Sequence, residues 1–274
     1  MPFFDNEGIK IYYEIEGEGP PVIMIHGFAA SIEGNWKATN WVEALKDKYK
    51  LILLDCRGHG KSDKPLDPAQ YGPHMTDDII KLLDHLSIEK ANFIGYSMGS
   101  RLTFELLLRK QELFISAVLG GFALSFPDEK ERAATQRGLD IWIDALKTEN
   151  IEDIKHPAAL RFRQVISAYK NSELQNFDAL AAVLKGGLQN REESTQTNDQ
   201  RKESLKKVKV PVLTVLGSDD FVGGDKTLMA QLVPDACHFQ IQGKDHITVV
   251  PDPKFHMVVR AFLDYVNGCL LYTI

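Results

Sequence analysis

Four short apolar runs, at residues 22–25, 51–54, 91–94 and 212–216, constrain this chain more than any other feature. A strand with one wet face alternates apolar and polar residues. A strand covered by helices on both faces reads instead as a nearly continuous apolar run. The four runs therefore predict a parallel sheet between helical layers. Residues 10–16 differ: Ile11, Tyr13 and Ile15 alternate with polar neighbours, the pattern of an antiparallel strand with one solvated face. Weaker candidates for two more strands lie at 116–119 and 238–241. Helical patterns separate the runs. Trp41, Leu45 and Tyr49 are spaced four apart. Ile79, Ile80, Leu83 and Leu86 share one face of a helix whose expected N-cap is Thr76. Phe255, Val258, Val259, Phe262 and Val266 mark a last helix. Strand–helix alternation of this kind predicts an α/β chain with a doubly wound, mostly parallel sheet.

The alternation stops between residues 122 and 209, a charged, helix-forming stretch without strand-like runs. It reads as a helical insertion over one sheet edge. The expected division is a core of residues 1–121 and 210–274 with a cap of residues 122–209. The net charge of −6, with acids and bases mixed along 274 residues, argues against a nucleic-acid or membrane-surface partner. Cys56, Cys237 and Cys269 are too few and too scattered for a disulfide framework or zinc site, and read as reduced, mostly buried thiols. Residues 1–7 carry neither a basic start nor an apolar stretch, so no N-terminal signal is expected, and no apolar run approaches the roughly 20 residues of a bilayer span. A cytoplasmic protein, monomer or homodimer, is expected. The apolar stretch 268–274 suggests no function.

The sharpest chemical signal is Gly95-Tyr96-Ser97-Met98-Gly99, between the run at 91–94 and the helical stretch that opens near Met98. A nucleophile on a strand-to-helix turn sits in strained backbone, so its neighbours two residues away must be small. Gly95 and Gly99 meet that demand. The turn also aims the start of a helix, with its unpaired N–H groups, at developing negative charge. A second oxyanion donor must come from elsewhere. His26-Gly27-Phe28 follows the run at 22–25, so the backbone N–H groups of Phe28 and Met98 are the expected pair. His26 itself reads as a structural residue bonded within its loop.

A serine hydroxyl needs a base at neutral pH. Among eight histidines, His246 is placed after the strand candidate at 238–241 and before the last helix, at the carboxyl edge where open α/β sheets hold their sites. His59 lies in a Gly-rich turn after the run at 51–54. The base must be oriented by an acid. The run at 212–216 ends at Gly217-Ser218-Asp219-Asp220, and either aspartate could serve.

These motifs make the sequence resemble the α/β-hydrolase superfamily over nearly the whole chain. It is most similar to the cap-bearing esterases and their relatives. A strand followed by His-Gly-Phe is matched by His26, Gly27 and Phe28. The pattern Asp-x-Arg-Gly-His-Gly-x-Ser is matched by Asp55, Arg57, Gly58, His59, Gly60 and Ser62, and the Gly-x-Ser-Met-Gly elbow by Gly95, Ser97, Met98 and Gly99. The order serine, acid, histidine is also that of the superfamily. The resemblance implies an α/β-hydrolase fold with a helical cap between the sixth and seventh strands. It also implies a catalytic set of Ser97, Asp220 and His246, with Asp220 chosen by its spacing from Gly217. Two features depart from relatives. No proline follows His26-Gly27-Phe28, and the nucleophile is Ser where dehalogenases and epoxide hydrolases need Asp; those chemistries are not expected. Ser100 stands where Gly is commoner.

The expected function is hydrolysis of a small or medium carboxylic ester through an acyl-enzyme on Ser97, with no metal or cofactor. The same residues also suit a lactone or enol-lactone hydrolase, a C–C bond hydrolase, or a cofactor-free perhydrolase. A non-enzymatic alternative is a small-molecule receptor, which would bind its ligand under the cap without turnover. Trp142, Phe162, Tyr169 and Phe177 are the aromatic candidates for lining the substrate pocket.

Overall fold

The computed structural model describes residues 3–168, 174–192 and 197–268. Eight strands form one sheet: β1 (Phe3–Asn6), β2 (Ile9–Glu16), β3 (Pro21–Ile25), β4 (Lys50–Leu54), β5 (Ala91–Tyr96), β6 (Phe114–Gly120), β7 (Val212–Gly217) and β8 (Ala236–Ile241). Their order is β1-β2-β4-β3-β5-β6-β7-β8. The first two strands join antiparallel, and the rest run parallel. Side chains alternate between two buried layers, which explains the continuous apolar runs. Ile23, Ile25, Ile52 and Leu54 enter one layer. Val22, Met24, Leu51 and Leu53 enter the other.

Helices α1 (Trp41–Leu45), α2 (Pro73–His85) and α3 (Met98–Arg109) follow β3, β4 and β5. The first covers one face, and α2 and α3 cover the opposite face. Connections leaving β3 and β5 thus depart to opposite sides, which opens a crevice between their carboxyl ends. That crevice receives both the His26–Phe28 loop and the turn at Ser97.

Among the described residues between β6 and β7 lie the helices α4 (Glu129–Lys147), α5 (Pro157–Ser167), α6 (Phe177–Glu192) and α7 (Asn198–Leu205). Ile143, Leu146, Ile166, Leu180 and Ala181 bury their side chains against Ala29, in the loop after β3. Two later helices, α8 (Leu228–Leu232) and α9 (Pro253–Val266), complete the flanks. Among the described residues no helix is long and apolar enough to cross a membrane.

Several local expectations change. The strand β1 pairs with β2 and has no run of its own to announce it. On β2, Tyr12 is buried while Ile15 is 41% exposed, because the strand touches both layers near its middle and neither at its end. The second helix begins at Pro73, not at Thr76. Proline suits the first helical position because its missing N–H has no partner there in any case. Thr76 is buried and its hydroxyl donates to the Pro73 carbonyl at 2.7 Å. The first helix is only five residues long and stops before Tyr49. Cys56 is buried but Cys237, on the edge strand β8, is exposed. Cys269, Tyr169 and the stretch 269–274 lie outside the described residues.

The Asp55–Ser62 motif is a brace for the loop after β4. The Asp55 carboxylate accepts from the Ile32 and Lys61 amides at 2.7 and 2.8 Å. Arg57 meets Asp78 side-on, with Nε–Oδ2 at 2.7 Å and Nη2–Oδ1 at 2.6 Å, both side chains buried. Asn6 donates to the same carboxylate and Arg57 Nη1 to the Gln70 carbonyl. Removing one partner of a buried ion pair strands the other charge. Asp78→Ala should therefore lower unfolding stability by about 3–5 kcal/mol, read from urea titration. A loss below about 1 kcal/mol would show that the pair braces nothing.

Candidate active site

The elbow at the end of β5 is built by close approach. Ser97 has φ 53° and ψ −110°, outside the ordinary regions for a side-chain-bearing residue. A Cβ on Gly99 would fall 1.9 Å from the Ile25 carbonyl oxygen, and one on Gly95 would fall 2.4 Å from the Gly99 oxygen. Neither position accepts anything larger than glycine without movement. Ser100 is fully buried, with Oγ 2.8 Å from the Gly95 carbonyl and 2.7 Å from that of Gly120. Its hydroxyl ties the elbow to β6, a bond that glycine there could not make.

Ser97 Oγ lies 2.8 Å from His246 Nε2. His246 Nδ1 lies 3.0 Å from both carboxylate oxygens of Asp220. Asp220 also accepts the Val222 amide at 2.9 Å. The neighbouring Asp219 turns to solvent, where its carboxylate accepts from the Ser218 hydroxyl. Adjacent side chains leaving a strand point apart, so only one of the two reaches the imidazole. The Tyr96 hydroxyl donates to the backbone carbonyl of His246, and Asp245 accepts the Ile247 and Thr248 amides, which folds the loop after the histidine. Gly121, at φ +59°, leaves room for the ring: a Cβ there would sit 2.9 Å from His246 Cε1.

The loop after β3 comes up beside the elbow, and a Cβ on Gly27 would lie 3.5 Å from Ser97 Cβ. His26 Nε2 accepts the Cys56 amide at 3.0 Å, so the ring proton is on Nδ1, which donates to the Gly27 carbonyl at 2.7 Å. That carbonyl also accepts the Ala30 amide at 3.2 Å. A trans peptide directs its N–H opposite its C=O. Pinning the Gly27 carbonyl from one side therefore turns the Phe28 N–H to the other. Among the described residues that N–H has no acceptor. The Met98 N–H is the first of α3, one of the four that a helix leaves unpaired. Asn35, buried in the short π-helix Ile32–Lys37, accepts the Gly27 amide at 2.9 Å.

Phe162 stacks on Phe28 with ring centroids 6.1 Å apart, and Trp142 lies 4.2 Å from Phe162. Phe177 packs into the same cluster. Asn35, Tyr96 and Gly121 were missed in the sequence. Tyr96 and Gly121 at least flank recognisable features, the elbow and the end of β6, whereas Asn35 carries no signal. Among the described residues no group of three or more His, Cys, Asp or Glu is placed to hold a metal ion.

Residues 20–253 match the family model of the alpha/beta hydrolase fold, and the chain belongs to that family. It is 26% identical over 265 residues to 3-oxoadipate enol-lactonase 1 of Acinetobacter baylyi, covering 94% of this chain and 95% of that protein. It is 27% identical over 279 residues to a non-heme chloroperoxidase of Kitasatospora aureofaciens, covering 96% and 98%. Among solved structures, a thermophilic esterase from Thermogutta terrifontis superposes with a TM-score of 0.73 at 22% identity, covering 97% of each chain.

Burial pushes His26 below the ordinary histidine range, and pushes His59 down to about 3 with help from the neighbouring His26. The His59 ring is neutral in the folded protein at pH 5 to 8, but takes up a proton below about pH 6.5 when unfolded. The unfolded chain then binds more protons, so stability falls as pH drops through that range. At pH 5 relative to pH 8 the His59 share is about 2 kcal/mol. Urea titrations at the two pH values should show this loss, and His59→Gln should remove that share. An unchanged pH dependence in the variant would contradict the assignment.

Proposed function

We propose that this hydrolase cleaves a small or medium carboxylic ester through an acyl-enzyme on Ser97. The observation that carries the reading is the contact chain from Ser97 Oγ through His246 to Asp220. Ser97 Oγ attacks the ester carbonyl as its proton passes to His246 Nε2. The carbonyl oxygen, now negative, takes hydrogen bonds from the Phe28 and Met98 amides. The intermediate collapses, the alkoxide leaves with the proton from His246, and the acyl group stays on Ser97. Water then attacks the acyl carbonyl, losing a proton to His246. Collapse returns that proton to Ser97 and releases the acid. Asp220 keeps the ring proton on Nδ1 and stabilises the imidazolium.

His26 acts in this reading as a positioning residue for the Phe28 donor, and helices α4–α7 act as the cap that selects substrates. Their aromatic Phe162 stacks on Phe28, with Trp142 against Phe162 and Phe177 in the same cluster, where an acyl group on Ser97 would extend. A second reading, a lactone or enol-lactone as the ester, is favoured by the enol-lactonase relative, which aligns with 94% of this chain. A lactone is a cyclic ester and needs no other residues.

Turnover of p-nitrophenyl esters of increasing chain length, beside several lactones, tests the proposal. Ser97→Ala should lower turnover by about 10⁶-fold. Asp220→Asn should lower it on the order of 10⁴-fold. Asp219→Asn should cost less than about tenfold, because its carboxylate faces solvent. Activity of Ser97→Ala above a few per cent, or a larger loss at Asp219 than at Asp220, would overturn the assignment.

A further inference from the structure

Arg163, on α5, is 8% exposed and has no carboxylate partner among the described residues. One of its terminal nitrogens, Nη1, donates to the Ser167 hydroxyl at 3.0 Å. Its Nε is buried with no acceptor among the described residues. A buried guanidinium ordinarily meets an acid, because desolvating the charge is costly and its fork is shaped for two parallel bonds. Here the planar group instead lies over the Phe177 ring, with Cζ 3.3 Å from the centroid. That contact covers one face of the guanidinium and leaves the in-plane edge of Nε and Nη2 without an acceptor among the described residues.

The arginine reaches the oxyanion loop through its stacking partner Phe177. Phe162, the preceding residue, stacks on Phe28. Phe177, beneath the guanidinium, packs in the cluster that holds Phe28, Phe162 and Ala29. Two residues before Phe177, Gln175 donates to the Ala29 carbonyl at 2.7 Å. Among the described residues the guanidinium edge is thus a charged donor without an acceptor, which a purely alkyl acyl group would not satisfy. A carboxylate laid against the Nε–Nη2 edge takes two charge-assisted bonds, and Phe177 holds the fork flat to receive it.

We propose that Arg163 binds a free carboxylate on the acyl side of the substrate. The preferred substrate is then an ester or lactone of a dicarboxylic acid, with one carboxyl esterified at Ser97 and the other anchored under the cap. Binding of the carboxylate stands on Arg163 alone; its role in turnover rests on the hydrolase reading given above.

Two measurements separate these parts. The first compares kcat/KM for the methyl half-esters of succinic, glutaric and adipic acids with that for neutral methyl esters of matched length. The wild-type protein should favour at least one half-ester by about tenfold or more, the scale of a hydrogen bond to a charged group. Arg163→Gln should lower that preference ratio by at least the same factor, mainly through KM, and Arg163→Lys should lower it less, since charge remains without the fork. The second titrates Ser97→Ala protein with succinate, glutarate and adipate by calorimetry, with and without Arg163→Gln. Binding should weaken about tenfold or more in the double variant. A ratio that Arg163→Gln leaves unchanged means that the guanidinium only packs on Phe177, and overturns the proposal. Esters that turn over with no half-ester preference overturn it while leaving the hydrolase reading intact. Arg163-dependent binding without turnover of any ester sustains the anion site and overturns the hydrolase reading.

Discussion

The contact on which the arrangement depends is the approach of the α3 N-terminus to the end of β3. Gly99 packs so close to the Ile25 carbonyl that no side chain fits between them. This contact sets the spacing between two loops that leave the sheet in opposite directions. One loop carries Ser97 in a strained conformation, and the other carries Gly27 and Phe28. Elsewhere the chain supports that approach: Ser100 binds β6 to the elbow, Asn35 and His26 hold Gly27 from both sides, and Asp55 braces the loop after β4. Backbone strain at one serine is held by buried hydrogen bonds from several strand ends.

The sheet was legible in the sequence because burial on both faces removes polar residues from a strand, and the runs at 22–25, 51–54, 91–94 and 212–216 sit within β3, β4, β5 and β7. The antiparallel edge was less so. Phe3–Asn6 is too short and too mixed to show a period, and Tyr12 is buried by a neighbouring layer that no pattern within β2 can reveal. Helix starts were misplaced for a similar reason. Thr76 has the chemistry of a cap, but Pro73 has the geometry of a first turn, and the geometry prevails.

At the site, residue types and strand ends narrowed the choices without closing them. Asp219 and Asp220 are chemically alike, and only the direction in which each leaves the strand separates them in space. The histidines show the same limit. His26 and His59 lie at the carboxyl edge, as His246 does, but are neutral, buried and committed to backbone groups. Within the helices between β6 and β7 the aromatic residues were recognisable, yet the buried guanidinium of Arg163 was not. Nothing in a helical sequence marks an arginine that has no acid partner among the described residues. The segment after Asp220 is tied to the chain between β6 and α4, where the Asp225 amide donates to the Leu124 carbonyl at 3.0 Å.

Activation of Ser97 as a nucleophile is the central claim, and covalent labelling tests it most directly. The intact protein is incubated with an alkyl fluorophosphonate, and its peptides are mapped by mass spectrometry over time. One adduct on Ser97 is expected, forming at least about 100-fold more slowly in His246→Ala, since the hydroxyl needs its base. Labelling at another residue, or at Ser97 with an undiminished rate in His246→Ala, would contradict it.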